Sequence, residues 1–296
     1  MDAALVEQVR SFNRAVTERV GALDDTYLGR GRPLGAARVL WEIGSDGADL
    51  RDIRRRLGID AGYASRLLRS LTDEGLVEVT GSATDGRVRH ARLTAKGRAE
   101  RGHLDRLSNE LATAIVEPLD ERQRARLQAA MAEVERLLRA SQITIAPEEP
   151  DHADVGWCVE QYFAEIGERF EGGFDPARAI QLPVGDLRPP RGLVVIARLH
   201  RQPVGCGFLR FDGSGPVHLK RMWVSGDARG SGLGRRLLAE LERHAAEGGA
   251  SAVRLETNRA LTEAIGLYRS AGYREVERFN DEPYGDHFFE KRVPPH

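Results

Sequence analysis

The sequence predicts two domains of different class, a mainly α-helical domain followed by an α/β domain. Apolar residues recur about every 3.6 positions through most of the first 140 residues, which is the spacing of amphipathic helices. From about residue 191 the pattern changes to short β-rich runs, such as residues 193–197 and 252–257. A glycine-rich segment, RGSGLG at 229–234, joins a strand-like run to a helical one. A chain of 296 residues is long enough for two domains of ordinary size.

The composition predicts a cytoplasmic protein that needs neither a membrane nor a metal. Apolar residues make up 41% of the chain and charged residues 30%, as in soluble globular proteins. The sequence lacks the roughly 18-residue apolar run of a membrane span, and its first residues lack the pattern of a secretory signal. Two cysteines, Cys158 and Cys206, lie in apolar runs without zinc-site spacing, which predicts a reducing compartment and no disulfide framework.

A helix-turn-helix is predicted in the N-terminal domain. Residues 49–57 follow a short helical pattern that Gly58 ends, and residues 61–71 follow a second one after a turn. Three leucines of the second run share the face that packs inward. The outward face suits a DNA major groove, where arginine pairs with guanine edges. Its predicted DNA-binding residues are Tyr63, Ser65, Arg66 and Arg69.

A basic hairpin is predicted directly after the second helix. Residues 76–79 and 87–93 read as two strands, and Asp85 in the connecting loop precedes a glycine, which is a strong turn signal. A hairpin beside a recognition helix is a wing. Its arginines, Arg87 and Arg89, can reach the DNA backbone or the adjacent minor groove.

The charge of this region favours a polyanionic partner. Residues 51–106 contain 13 basic and 8 acidic side chains, although the whole chain has a net charge of −1. A locally basic stretch in a near-neutral chain is typical of a DNA-binding surface. Two alternatives remain open: the arginines at 54–56 form a solvated helix face, or the winged helix serves only dimerisation or protein contact.

Residues 1–140 resemble the MarR family of winged-helix regulators. The resemblance rests on SRLLRSLTDEGLV at 65–77, DGR at 85–87 and LTAKG at 93–97. It implies a mainly α winged helix-turn-helix domain that binds a double-stranded DNA operator.

The same resemblance assigns roles outside the recognition helix. It implies that Asp85 and Arg87 fix the wing tip and insert it into DNA. It also implies a homodimer formed through the N- and C-terminal helices of the domain, here residues 3–24 and 98–140. Operator binding by a dimer is therefore the expectation for this half.

A connector between the domains is predicted at residues 146–151, APEEPD. Prolines bracket two acids there, which is typical of a linker. The predicted domains are residues 1–142 and residues 143–296.

The glycine-rich segment at 229–234 predicts a pyrophosphate site. Glycines at a strand-to-helix junction let backbone N–H groups approach phosphate oxygens, and the helix N-terminus adds a partial positive charge. The segment lacks the Lys-Ser/Thr ending of a Walker loop. A dinucleotide fold would place an acid about 20 residues further on. Glu256 lies near that distance, so this alternative stays open.

The order of three motifs in residues 145–293 resembles the GNAT acetyltransferases. They are RGSGLG at 229–234, Asn258 after a strand-like run, and the pattern A…LY…GY that contains Tyr268. The resemblance implies a mixed sheet that splays between its central strands and holds acetyl-CoA in the gap. The residues implied to bind this cofactor are Met222, Trp223, Val224, Arg229, Gly230, Ser231, Gly232, Leu233, Gly234, Arg235 and Asn258.

The resemblance also implies how acetyl transfer proceeds. An amine attacks the thioester directly, and Tyr268 donates a proton to the leaving thiolate. Relatives often carry a glutamate on the strand before the pyrophosphate loop, whereas this strand carries His218 and no acid. His218 and Glu256 are the candidate general bases, with Glu263 as a rival. Each tyrosine, histidine or asparagine named here has a structural alternative as a core residue or a cap.

The acceptor is expected to be a small amine bound by residues 157–176. A glutamate there suits an amine and an arginine suits a carboxylate, so an amino-acid-like acceptor is one hypothesis. The alternative is ordinary helix packing and surface charge. The candidate acceptor-binding residues are Tyr162, Glu165, Arg169 and Phe174.

Together these patterns predict a transcriptional regulator fused to an acetyl-CoA-dependent N-acetyltransferase. Two other hypotheses stay open. In the first, the C-terminal domain binds acetyl-CoA as a sensor and does not turn it over. In the second, the winged helix serves only to dimerise an acetyltransferase.

Overall fold

The structure is a computed structural model, and the residues that it describes are 2–24, 26–81, 89–213 and 215–293. Its residues group into two compact units, Met1–Gln128 and Ala129–His296, which are described separately below. The division lies within a long helix, about 14 residues before the boundary that the sequence predicts.

The N-terminal unit is mainly helical and carries a small antiparallel sheet with strand order β1-β3-β2. Its elements in chain order are α1 (Ala3–Arg19), α2 (Leu34–Ile43), β1 (Ala48–Asp49), α3 (Leu50–Leu57), α4 (Ala61–Asp73), β2 (Val77–Gly81), β3 (Arg89–Leu93), α5 (Ala95–Val116) and the first part of α6 (Glu121–Ser141).

The predicted helix-turn-helix is formed by α3 and α4. Gly58 ends α3 in the left-handed conformation, with φ of +64°, where a side chain would be strained. Asp60 then caps α4, because its Oδ1 accepts a hydrogen bond of 2.9 Å from the N–H of Tyr63. The apolar face of α4, which includes Leu71, is buried against α2 and the hairpin. Strands β2 and β3 pair in antiparallel register, as a wing requires.

A charged network joins the start of α2 to α5 in this unit. Arg30 and Arg32 both donate hydrogen bonds to the carboxylate of Glu100, at 2.6–3.0 Å. The bond from Arg30 has the largest influence, and the pKa of Glu100 is lowered to about 2. Glu100 is therefore ionised at neutral pH although its side chain is only 10% exposed.

The C-terminal unit is built on one seven-stranded sheet with order β4-β5-β6-β7-β8-β10-β9. Its elements after α6 are β4 (Thr144–Glu148), α7 (Ala153–Arg169), β5 (Gly192–Leu199), β6 (Gln202–Phe211), β7 (Val217–Val224), α8 (Leu233–Glu247), β8 (Ala252–Thr257), α9 (Thr262–Ser270), β9 (Arg274–Glu275) and β10 (His287–Arg292).

The central strands of this sheet diverge, as the sequence predicts. All neighbouring strands are antiparallel except β7 and β8, which run parallel. That parallel pair is matched at only two positions, Val217 with Val253 and His218 with Arg254. Beyond His218 the two strands separate and open a gap toward their C-terminal ends. In open α/β sheets such a gap is where ligands bind.

Two local features of the neighbouring strands shape this gap. A β-bulge places two residues of β7, Arg221 and Met222, opposite the single residue Gly207 of β6. Arg221 adopts φ of +49°, which is uncommon for a residue with a side chain. On the other face of the sheet, a Cβ atom at Gly207 would collide with the side chain of Leu241 on α8. Gly207 therefore permits the close packing of α8 on the sheet.

The predicted connector at residues 146–151 was wrong in part. Thr144–Glu148 is the edge strand β4, which pairs antiparallel with β5. An edge position tolerates Pro147, because only one side of the strand needs ladder hydrogen bonds. Arg198 of β5 neutralises Glu148 at 2.6 Å, so the acidic character of the segment serves sheet pairing. Every helix among the described residues is too short or too polar to cross a membrane.

Candidate active site and DNA-binding surface

The gap beyond β7 opens into a cavity of about 420 Å³ at the start of α8, called here the cofactor-side cavity. Gly230 and Gly232 have φ of +72° and +81°, and these turns bring the backbone of the loop to the cavity wall. Gly232 is also the N-cap of α8. Because it has no side chain, it does not accept hydrogen bonds from the N–H groups of the first turn. This arrangement suits an anion such as a pyrophosphate.

Most of the residues predicted to bind the cofactor line this cavity. They are Met222, Trp223, Val224, Arg229, Gly230, Gly232, Leu233, Gly234 and Arg235. Ser231 does not line it, because its hydroxyl donates a 2.6 Å hydrogen bond to the carbonyl of Ala228 within the turn. The structure therefore brings the predicted loop together as one backbone surface.

Asn258 has a different environment from the one predicted. Its amide donates to the carbonyl of Tyr284 at 3.0 Å, and its oxygen accepts from the N–H of Ala260 at 3.0 Å. It lines a second cavity and not the cofactor-side cavity. The structural alternative, a cap of the turn before α9, describes these contacts better.

The predicted acceptor residues Glu165 and Arg169 also lie on the cofactor side. The carboxylate of Glu165 accepts hydrogen bonds from Arg229, from Arg169 at 3.1 Å and from the indole of Trp223 at 2.9 Å. Burial acts to raise the pKa of Glu165, but these hydrogen bonds outweigh it and the pKa lies below its usual value. Arg169 also donates to Glu263 at 2.6 Å. Glu165 and Arg169 were predicted to line the acceptor site. The structure instead places both of them in the wall of the cofactor-side cavity.

The second cavity, called here the aromatic cavity, has a volume of about 100 Å³. Four aromatic rings form one wall; the closest pairs are Phe174 with Tyr284 at 4.8 Å and Phe163 with Phe174 at 5.1 Å between centroids. Phe170 completes the group, at 5.8 Å from Tyr284. Of the predicted acceptor residues, Tyr162 and Phe174 line this cavity.

Several residues of the aromatic cavity were missed by the sequence analysis. Phe163 and Phe170 lie in the expected acceptor segment, and the 163, 170, 174 spacing of its phenylalanines could have indicated them. Tyr284 comes from the loop before β10, about 110 residues further on, and no pattern in the sequence places it there. Arg221 lines the cavity because of the bulge in β7, which the sequence does not reveal.

Tyr268 lies where the two cavities meet, since it lines both, as do Tyr162 and Met222. Burial, with a smaller contribution from the negative charge of Glu256, raises the pKa of Tyr268 well above its usual value. Its phenol is therefore protonated at neutral pH and can donate a proton. The ring also packs 5.8 Å from the ring of Tyr273, so Tyr268 is at once a core residue and a cavity residue.

Glu256 is the predicted base that lies in the aromatic cavity. Its carboxylate forms an ion pair with Lys220 and accepts a 3.1 Å hydrogen bond from the amide of Asn280. Both charged side chains are largely buried, at 9% exposure for Lys220 and 7% for Glu256. Glu256 thus lies within the site, next to the ammonium group of Lys220. Glu263 is 71% exposed and paired with Arg169, which makes it a poorer candidate.

The structure does not bring His218 to either cavity. It lies where β7 and β8 are still paired, before the gap opens. Its ring packs 5.5 Å from that of Phe279, and its Nε2 is 3.5 Å from a carboxylate oxygen of Asp212. Burial lowers the pKa of His218. His218 therefore lies outside both cavities, and Glu256 is the candidate base that lines the aromatic cavity.

The N-terminal unit presents a concave surface between α3, α4 and the hairpin, called here the arginine groove. Its volume is about 510 Å³. Ser65, Arg69 and Arg89 line it, as the prediction of a DNA-binding face requires. Arg51 and Arg54 of α3 also line it, although the sequence analysis did not assign them to DNA. Asp73 is the acidic residue in the lining.

The remaining residues that were predicted to bind DNA lie in different environments. Arg66 is exposed on α4. Tyr63 is half-buried against the core, and its hydroxyl lies over Gly35, so its outward orientation is corrected. Asp85 and Arg87 lie outside the described residues. Of the residues that are described, no three His, Cys, Asp or Glu side chains are grouped to hold a metal ion.

Comparisons with known proteins agree with the families predicted for the two halves of the chain. A profile of the acetyltransferase (GNAT) family matches residues 159–273, and a profile of the MarR family matches residues 30–88. An IAA acetyltransferase of Azospirillum brasilense is 35% identical over 145 residues, 48% of this chain and 90% of that protein. An uncharacterized N-acetyltransferase of Schizosaccharomyces pombe is 29% identical over 155 residues, 50% of this chain and 92% of that protein. A solved GNAT acetyltransferase from Staphylococcus aureus Mu50 is 19% identical with a TM-score of 0.44, covering 51% of this chain and 99% of that one.

The family profile and the 35% identical relative, together with a mixed sheet that opens beside a glycine turn, define the class of this chain as an acetyltransferase. The chain belongs to the GNAT family of acetyltransferases, in which it carries an additional N-terminal domain of the MarR family. It is an N-acetyltransferase. The predicted fusion and the predicted fold class are thereby confirmed.

Proposed function

We propose that the protein acetylates a small amine with acetyl-CoA and binds a double-stranded DNA operator as a homodimer. One observation carries the enzymatic part: Tyr268, a protonated phenol, lies where the cofactor-side cavity meets the aromatic cavity. A thioester in the first cavity and an amine in the second would meet beside this phenol.

Acetyl-CoA supplies the activated acetyl group, and the residues of the cofactor-side cavity suit its parts. The backbone N–H groups of the loop at 229–234 and the first turn of α8 bind the pyrophosphate. Backbone groups from Met222 to Val224 hydrogen-bond the pantetheine arm, and one of these N–H groups polarises the thioester carbonyl. Arg229 lines the same cavity, where its guanidinium is paired with Glu165, so binding of a phosphate by Arg229 would compete with this ion pair.

Proton transfer is assigned to two side chains. Glu256 accepts the proton of the attacking amine, directly or through a water molecule. As the new C–N bond forms and the C–S bond breaks, Tyr268 gives its phenol proton to the leaving thiolate. The ion pair with Lys220 and the hydrogen bond from Asn280 hold the carboxylate of Glu256 in the aromatic cavity.

Replacing Tyr268 with phenylalanine tests this assignment. We expect kcat to fall about 100-fold, since that is the usual contribution of a positioned general acid. The Kd for coenzyme A should stay within about twofold, because the ring and its packing remain. Turnover is measured as free thiol released from acetyl-CoA with a panel of primary amines.

The matched control is Tyr273→Phe, which removes the hydroxyl of the neighbouring buried tyrosine that lines neither cavity. Equal kcat values for wild type and Tyr268→Phe would remove Tyr268 as the acid. Coenzyme A binding without turnover of any amine by the wild type would instead support the sensor hypothesis.

Operator binding is supported by the arginine groove. Arg51, Arg54, Arg69 and Arg89 converge on one concave surface that α3, α4 and the hairpin share. Arginines in such a position neutralise phosphates, and exposed Ser65 and Arg66 on α4 can reach base edges.

Dimerisation is supported by an apolar stripe on α1. Leu5, Val9 and Phe12 are 60%, 47% and 44% exposed, and α1 has no buried residue. Exposed apolar residues at helical spacing are typical of a surface that packs on a partner helix. We infer that α1 contributes to the homodimer contact.

The double variant Arg69→Ala/Arg89→Ala tests DNA binding. We expect specific operator affinity to fall and the slope of log K against log salt to decrease by about two, roughly one for each arginine that no longer neutralises a phosphate. The operator can be selected from random duplexes with the wild-type protein. The control is Arg274→Ala, an exposed arginine of the C-terminal unit. Unchanged duplex affinity and salt slope in the double variant would contradict the assignment.

A further inference from the structure

Arg221 is the cationic residue of the aromatic cavity that the proposed chemistry does not use. Its guanidinium lines the cavity, and among the described residues it forms no ion pair with a carboxylate. Its side chain is half-buried, so the cavity supplies much of its surroundings. An arginine does not lose its proton at physiological pH. The cavity therefore contains a guanidinium that is in no ion pair among the described residues, although the carboxylate of Glu282 lines the same cavity and acts on it electrostatically.

The bulge in β7 gives Arg221 this position. At the bulge Arg221 and Met222 together face Gly207, and both side chains line the same cavity, which regular strand alternation would not allow. The left-handed φ of +49° at Arg221 is part of this geometry. Conformations of this kind in a residue with a side chain concentrate at functional sites.

The carboxylates nearest to Arg221 are already engaged elsewhere. Glu256 is paired with Lys220 and Asn280. Glu282, which also lines the cavity, accepts the backbone N–H of Ile180 at 3.0 Å and that of Tyr284 at 3.5 Å. Among the described residues, the guanidinium N–H groups of Arg221 therefore have no acceptor and remain free to bind a ligand.

The surroundings of Arg221 are aromatic. Its guanidinium carbon lies 5.1 Å from the ring centroid of Phe163 and 5.9 Å from that of Phe208. Phe163 belongs to the wall that Phe174 and Tyr284 continue. The cavity thus offers one guanidinium beside an aromatic wall, and it joins the cofactor-side cavity at Tyr162, Met222 and Tyr268, so a ligand can extend beyond its volume of about 100 Å³.

We propose that Arg221 binds the carboxylate of the acceptor, and that the acceptor is an α-amino acid with an aromatic or large apolar side chain. This proposal rests on the proposed acetyl transfer to an amine. The fork of Arg221 matches a carboxylate in bidentate geometry, and the aromatic wall accepts the side chain. Lys220, the partner of the base Glu256, precedes Arg221 in the strand. Glu256 and Arg221 line the same cavity, so the proposed amine and carboxylate sites share one small space, as the two groups of an α-amino acid require.

The test compares amino acids with amines that lack only the carboxylate. Thiol release is measured with phenylalanine against phenethylamine, tryptophan against tryptamine, and leucine against isoamylamine. We expect the wild type to prefer each amino acid by about 100-fold or more in kcat/KM, because the amine leaves the guanidinium without its partner. In Arg221→Gln the preference should collapse to within about threefold, mainly through a higher KM for the amino acid.

Two further measurements distinguish loss of the carboxylate site from a structural effect of the substitution. Arg221→Lys keeps the charge but loses the fork, and we expect an intermediate preference, which a merely structural role for the side chain would not produce. Coenzyme A titration checks that each variant still binds the cofactor and is folded. A wild type without preference for the carboxylate, or a preference that survives in Arg221→Gln, would overturn the proposal.

A binding measurement separates this proposal from the proposed turnover. Calorimetric titration of phenylalanine, tryptophan and leucine into the protein saturated with coenzyme A needs no acetyl transfer. Amino-acid binding that Arg221→Gln abolishes, without turnover in the wild type, would support the carboxylate site and overturn the acetyl transfer. Turnover of phenethylamine but not of the amino acids would do the reverse.

Discussion

The two cavities of the C-terminal unit are assembled in opposite ways. The cofactor-side cavity takes its anion-binding part from one continuous segment, the loop at 229–234 and the first turn of α8, and it uses backbone groups. The aromatic cavity takes side chains from separate segments, which include α7, the bulge in β7, the end of β8 and the loop before β10. The proposed anion-binding part of the first cavity is thus a local arrangement of backbone groups, whereas the aromatic cavity is a tertiary arrangement of side chains.

This difference teaches which substitutions each cavity tolerates. A backbone site depends on the conformation of its loop, so side chains in it can vary as long as the φ angles are kept. A side-chain site depends on the identity of each wall residue, so it can change its ligand without a change of fold. We expect the cofactor to be shared widely among related folds and the acceptor to be particular to this chain.

The largest effect is expected from Gly232→Val in the loop. Gly232 has φ of +81°, which a β-branched residue cannot adopt without strain, so the loop and the start of α8 must rearrange. We expect the Kd for coenzyme A to rise about 100-fold, which corresponds to strain within the usual range for such a position. Calorimetric titration of coenzyme A measures it.

The matched control for Gly232→Val is Gly226→Ala in the segment before the loop. Gly226 has no positive φ, and a Cβ there would meet open space. Coenzyme A should bind Gly226→Ala as it binds the wild type. If Gly232→Val also bound normally, the backbone account of the cofactor-side cavity would be refuted.

A smaller and more selective effect is expected from Phe174→Ala in the aromatic wall. Loss of this ring removes apolar contact with the acceptor, and we expect kcat/KM for the preferred acceptor to fall about 20-fold. The Kd for coenzyme A should change less than twofold, because Phe174 does not line the cofactor-side cavity. Val184→Ala, at a 51% exposed apolar residue, is the control. Equal losses in acceptor and cofactor binding would contradict the separation of the two cavities.

Much of the fold could be predicted from the sequence, because its signals are local. The end of α3 at Gly58, the hairpin and the loop at 229–234 each follow from adjacent residues and their conformational preferences. The edge strand β4 was missed because it ends in Pro147 and Glu148, which begin a run of prolines and acids that is typical of a linker. Only its partner β5, 46–54 residues away, gives those residues a place in the sheet.

Those parts of the candidate site that are contiguous in the sequence could be predicted. Tyr268 was predicted as the acid because it lies in a motif with fixed spacing, and the structure places it where the two cavities meet. Glu165 and Arg169 were assigned to the wrong cavity, because a helix presents residues three and four apart on one face and the sequence does not reveal which face meets which cavity. Arg221 depends on a bulge between two strands, which no single-strand pattern reveals.

The smallest expected effect concerns pH, and it tests the junction between the cavities. Burial raises the pKa of Tyr268 above its ordinary value near 10, so the phenol keeps its proton as the pH rises toward 10. A general acid can donate its proton only while it is protonated, so a raised pKa extends the activity of the enzyme to higher pH. We therefore expect kcat/KM for the preferred acceptor to fall less than about twofold between pH 8.5 and pH 10. Thiol release under subsaturating acceptor measures it, and the profile of Tyr268→Phe over the same range is the control. A fall in the wild type that is absent from Tyr268→Phe would mean that Tyr268 ionises below pH 10, and the buried proton donor between the two cavities would have to be abandoned.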